Sequence, residues 1–133
     1  MAIGLLATDI RDLFAHEVIA RGGTVSEAFE DGPLLLSRGI LPGVEEVRPG
    51  DGVRGGVAIR ADGRDVFVHP YVFRQVCSNG CIVATAIETR HVELGDFPSV
   101  EEAEEAVREA IQLCAAPEAF ADAAGRMRSA TEM

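Results

Sequence analysis

Residues 53–69 read VRGGVAIRADGRDVFVH, and their pattern decides the fold. Val57-Ala58-Ile59-Arg60 and Val66-Phe67-Val68 are rich in strand-forming residues. Between them lies Ala61-Asp62-Gly63-Arg64. Asp-Gly readily takes the positive φ that tight hairpin loops need. The stretch therefore predicts a β-hairpin at the centre of the chain.

Working outward, the N-terminal side opens with a predicted helix over Thr8–Arg21. Ile10, Leu13, Phe14 and Val18 share one face at helical spacing. Thr8 or Asp9 is its expected cap, and Gly22-Gly23 its stop. Thr24 and Glu27 have capping-box spacing, which predicts a short second helix closed by Gly32-Pro33. Pro33–Leu41 and Val44–Arg48 read as extended pieces, leading to a turn at Pro49-Gly50-Asp51-Gly52.

On the C-terminal side, His69–Gly80 fits two patterns. Tyr71, Phe73, Gln75 and Cys77 alternate as in a strand. Pro70 at the start and Asn79-Gly80 at the end favour a short helix, the expectation adopted here. Residues 81–94 predict one or two strands. Ser99–Cys114 is a helix with a Ser99/Glu102 capping box, a Val100, Ala103, Val107, Ala110, Ile111 and Cys114 stripe, and a Glu104–Arg108 pair. Pro117 starts a further helix bearing Phe120. The expected architecture is a single α+β domain over residues 1–133. It is a small antiparallel sheet with a central β-hairpin, flanked by an N-terminal helix and a C-terminal helical pair. The chain stops at Met133 without a cap or polar tail, which points to a longer parent protein or a shortened chain.

Composition narrows the function classes. The chain has 133 residues, 47% of them hydrophobic and 26% charged, which suits one globular domain. No apolar run nears the roughly 20 residues of a membrane span, and MAIGLLATD lacks the basic start of a signal peptide. A cytoplasmic protein without a membrane partner is expected. Three cysteines, an odd number, favour reduced thiols over a disulfide framework. The net charge of −10 is unevenly spread. Residues 48–90 hold six Arg against four acids, whereas both flanks are strongly acidic. Any phosphate-neutralising surface must come from that middle third.

The candidate sites follow from those residues. Arg48, Arg54, Arg60, Arg64 and Arg74, with Tyr71 and Phe73 as stacking groups, would form a surface for single-stranded nucleic acid. Arg90 belongs to the same set. The competing reading is a solvated sheet face with arginines paired to the acidic helices. His69, Cys77, Cys81 and His91 have the donor chemistry of tetrahedral zinc, although the spacing matches no familiar pattern. Otherwise the cysteines are small buried apolar groups, and no cofactor is required. A cysteine nucleophile is disfavoured, because a helix C-terminal end raises a thiol pKa. Gly50, Gly52, Gly55 and Gly56 lack a Walker lysine and a strand-to-helix context, so turns account for them. A module that binds single-stranded nucleic acid or a partner protein through the arginine-bearing 48–90 region is thus favoured over an enzyme. Zinc-stabilised and homo-oligomerisation domains are the alternatives.

Gly50-Asp51, Gly55-Gly56-Val57, the run Phe73-Arg74-Gln75-Val76-Cys77-Ser78-Asn79-Gly80 and Arg90-His91 together carry a family likeness. The chain resembles the phage/plasmid-like proteins, a domain-of-unknown-function family found on mobile elements. The match covers about residues 47–94, and its specific core is R-x-V-C-S-N-G. Family members commonly have Leu or Met where this chain has Cys81, which weighs against Cys81 as a shared ligand. The resemblance implies a role in DNA metabolism or defence, with no established catalytic residue. It also implies a structural knot in which Asn79 and Gly80 form a tight turn.

Overall fold

The structure is a computed structural model that describes residues 5–48, 51–73, 82–83, 89–122 and 125, with side chains of residues 43–48, 51–53, 73 and 82–83 left aside. Helix α1 (Ala7–Ala20) precedes strands β1 (Thr24–Asp31), β2 (Leu34–Arg48), β3 (Asp51–Ala61), β4 (Asp65–Phe73), β5 (Ile82–Val83) and β6 (Arg90–Glu93). A 3-10 turn (Leu94–Asp96) leads to helix α2 (Val100–Cys114), and residues 117–122 are again helical. The expected α+β class is the observed one. The strands form a six-stranded antiparallel sheet in the order β1-β2-β3-β4, with β5 and β6 both on the far side of β4. Among the described residues, no helix is long and apolar enough to cross a membrane.

Each turn has a local cause. Gly22 takes φ +79°, and the N–H groups of Gly22 and Gly23 donate to the Ile19 and Val18 carbonyls, which ends α1 where expected. Asp31 pairs with Leu34, leaving the two-residue loop Gly32-Pro33. Gly32 at φ +59°, followed by the fixed φ of proline, suits the type II′ turn that matches strand twist. In the β3–β4 hairpin, Asp62 Oδ1 accepts from the backbone N–H of Asp65 (2.8 Å) and of Arg64 (3.0 Å). Those bonds hold the Asp62 carboxyl below the usual carboxylate range. Gly63 supplies the positive φ, at +95°.

Four expectations differ from what folds. Leu6, not Thr8 or Asp9, is the N-cap position of α1, and Asp9 instead accepts the Leu6 N–H at 3.0 Å. The segment expected as a second helix is β1. Its capping-box signal is local, and the tight Gly32-Pro33 turn commits it to a full ladder with β2. Residues 69–73, expected to start a helix, extend β4. Pro70 is tolerated there because β4 pairs with β6 only up to Val68 and with β5 only from Val72. The Arg64 carbonyl accepts from Leu94, and strand alternation from that bond turns the Pro70 nitrogen toward the gap. The rest of that expected helix, with the turn Asn79-Gly80, lies outside the described residues. The two extended pieces expected at 33–41 and 44–48 are one strand with an irregularity between Ile40 and Val44.

Both α-helices lie on one face of the sheet. Ile10, Phe14 and Val18 of α1 meet Leu35, Val57, Ile59, Val66 and Val68 from the strands, with Val107 and Ile111 from α2. Burying such side chains contributes about 1.5–3 kcal/mol each. Ser99 caps α2 by accepting the Glu102 N–H, as its sequence predicts. Between the helices, buried Glu17 accepts from Arg21 Nη1 (3.0 Å) and Gln112 Nε2 (3.1 Å), so its charge is paired.

Glycines set how closely the layers approach. A Cβ on Gly39 would lie 2.8 Å from Val18, and one on Gly55 would lie 2.6 Å from the Phe120 ring. Gly39→Ala is expected to lower unfolding free energy by about 1–3 kcal/mol, the usual cost of overpacking. In urea denaturation Val18→Ala should cost less in the Gly39→Ala background than in the wild type, and strict additivity would deny the contact.

Candidate binding face of the sheet

The helices cover one side of the sheet, so alternating residues of β1–β4 and β6 point to the other. The register aligns Phe29, Leu36, Arg60, Phe67 and His91 in one row across five strands. The row is accessible: Phe29 is 53% exposed and Leu36 42%. The Phe67 ring stands between neighbours. The His91 ring stacks on it with centroids 4.6 Å apart and planes at 7°. From the opposite strand the Arg60 guanidinium carbon lies 5.5 Å from its centroid. His91 Nε2 is 2.8 Å from Asp65 Oδ1, so a carboxylate anchors the far end of the stack.

The adjacent row is Glu27, Arg38, Ala58 and His69. Arg38 Nη2 and Glu27 Oε2 form an ion pair at 2.6 Å. Ala58 is the small member, and a groove of about 660 Å³ opens beside it, lined by Phe29, Leu36, Arg38, Arg60, His69 and Tyr71 among others. Burial, and then the Arg38 guanidinium, hold the His69 imidazole below its ordinary value of 6.5. At neutral pH it is therefore uncharged, with one ring nitrogen a donor and the other an acceptor.

Beyond this row the Tyr71 ring lies flat against Gly56, where a Cβ would meet ring carbons at 2.5 Å. Its hydroxyl donates to the Gly39 carbonyl at 3.2 Å. Burial pushes the phenol pKa up, partly offset by the Ser26 hydroxyl. Tyr71 is only 1% exposed, so its ring is a support for the groove and presents no stacking face.

The sequence-derived residues separate into groups. Arg54 and Arg60 alternate onto the groove side of β3, and Arg64 sits in the exposed β3–β4 turn. No carboxylate among the described residues forms an ion pair with these three. Arg90 is half-buried at the start of β6. The Arg48 side chain, Phe73 side chain and Arg74 are outside the described set. Of the zinc candidates, His69 and His91 share this face on neighbouring strands, but His91 leans to Asp65 and Phe67. Cys77 and Cys81 lie outside the described residues, and among the described residues no three potential ligands cluster. Phe29, Leu36, Arg38, Ala58 and Phe67 join the site only in the structure. The period-2 pattern of Phe67 and His69 was a usable signal, whereas Phe29 was hidden by the helical reading of β1.

No family model, no curated protein and no solved structure matches the chain.

Two measurements check this geometry. Tyr71→Phe should lower stability by about 1 kcal/mol, the usual net worth of a hydrogen bond. The depressed His69 pKa means the unfolded chain binds more protons in the mildly acidic range, so stability rises with pH there. Its contribution is full above 6.5 and lost as pH falls through the lowered folded value. His69→Asn should flatten the stability profile below pH 6.5, as read by denaturation at fixed pH steps; an unchanged profile would contradict the assignment.

Proposed function

We propose that the chain is a non-enzymatic module that binds single-stranded nucleic acid on the helix-free face of its sheet. The observation that carries the proposal is the coincidence, on one face, of Arg54 and Arg60, which form no ion pair among the described residues, with exposed aromatic groups. Arg54 and Arg60 are six residues apart on one side of β3, which spans about 20 Å at strand rise. That length suits a few successive phosphates. Phe29 and the upright Phe67–His91 stack supply apolar edges beside them. Single-strand binders combine a basic track with aromatic contacts in this manner.

Charge placement supports the reading against the overall acidity. The exposed carboxylates Glu101, Glu105 and Glu109 lie on α2, across the sheet from the groove. They repel phosphate from the helical side, while Arg54 and Arg60 stand on the open face, which also carries Glu27 and Asp65. A role in nucleic-acid handling also agrees with what the resemblance to phage/plasmid-like proteins implies.

The binding should be salt-dependent. Three arginine contacts give a slope of log K against log salt of about −2 for a single strand. Fluorescence anisotropy with a labelled oligonucleotide tests it. Replacing Arg54, Arg60 and Arg64 by Glu should abolish both binding and slope while leaving the denaturation midpoint nearly unchanged. Wild-type protein that binds no single strand at low salt would sink the proposal.

A further inference from the structure

The open face contains a depression that a nonspecific phosphate track would not need. It exists because Ala58 is flanked by large residues on the same face: Arg38 on β2 and His69 on β4 in its own row, Leu36 and Arg60 in the next. A larger residue at position 58 would fill it. The depression is wide enough for a flat ring, since a drug-sized ligand pocket begins at about 300 Å³ and this groove measures about 660 Å³.

We infer that the groove over Ala58 receives one unstacked nucleobase, with Arg60 and Leu36 against its face and His69 at its edge. This rests on the nucleic-acid reading above and deepens it, from a surface that holds phosphates to one that also reads a base. Charge complementarity favours a base over a phosphate at this point. Glu27 stands at the rim, 2.6 Å from Arg38, and its carboxylate repels a phosphate but accepts from an amino or imino group. His69 offers one donor and one acceptor to the same edge. The Arg60 guanidinium, already set against the Phe67 ring, presents a planar group on which a base can lie. Phosphates on either side of that base then fall to Arg54 and Arg64.

The test compares a short labelled oligonucleotide with an otherwise identical strand carrying one central abasic site, at fixed low salt. The wild type should bind the base-bearing strand about tenfold more tightly, the lower range of what one stacked base contributes. Ala58→Leu should reduce that preference to about onefold and leave affinity for the abasic strand within about twofold, since the phosphate contacts remain. Equal wild-type affinity for the two strands overturns the base pocket and leaves the phosphate track standing. Failure of both strands to bind overturns both. Should Ala58→Leu not fold, the wild type is titrated with uncharged nucleosides and the His69 ring resonances are followed by NMR. Saturable shifts support the pocket, and unmoved resonances overturn it.

Discussion

Gly39 is the point on which two layers close. On one side Val18 of α1 rests against its α-carbon, where a methyl group would be only 2.8 Å away. Its carbonyl accepts the hydroxyl of Tyr71, which reaches across from β4 over Gly56. The helix layer and the groove therefore depend on one backbone position without a side chain. A Cβ there lifts α1, and the missing Cβ at Gly56 lets the Tyr71 ring lie down and become buried. Tertiary contact outweighs the intrinsic cost of glycine in a strand, about 0.5–1 kcal/mol relative to alanine.

The same arrangement puts the carboxylates of α2 and the arginines of β3 on opposite sides. The carboxylates of α2 face solvent on one side, and some are tied up locally, as Glu104 and Glu105 are by Arg108 at 2.9 and 2.6 Å. The arginines of β3 emerge on the other side without such partners among the described residues. A net charge of −10 says little about either surface taken alone. Field direction, set by which sheet face a residue occupies, matters more for an approaching anion than the total.

What could be read from the chain follows from the range of each interaction. The hairpin at Asp62-Gly63 and the capped helix from Ser99 announce themselves because their determinants lie within a few residues of one another. β1 does not. Its Thr24-x-x-Glu27 pattern favours a helix locally, and only the ladder with β2 overrides it. The stack of Phe67 on His91 joins residues 24 positions apart by register, which no periodicity reveals. Three arginines of the proposed binding surface are legible as a basic middle third. Tyr71 was misplaced as a stacking group because a sequence does not show that Gly56 will accept its ring. The groove itself was illegible, since it depends on the small size of Ala58 relative to partners on two other strands.

Strand β1 runs along the rim of the sheet, with one side of its backbone left without a neighbouring strand among the described residues. Between Val25 and Glu27 its register slips, and Ser26 turns its hydroxyl to the Arg38 carbonyl at 3.2 Å. Glu27, Glu30 and Asp31 follow within the same strand. A kinked rim is a poor template for another strand, because the break disrupts the ladder. The irregularity thus weakens the rim, beside an apolar groove, as a place where a further strand could be added.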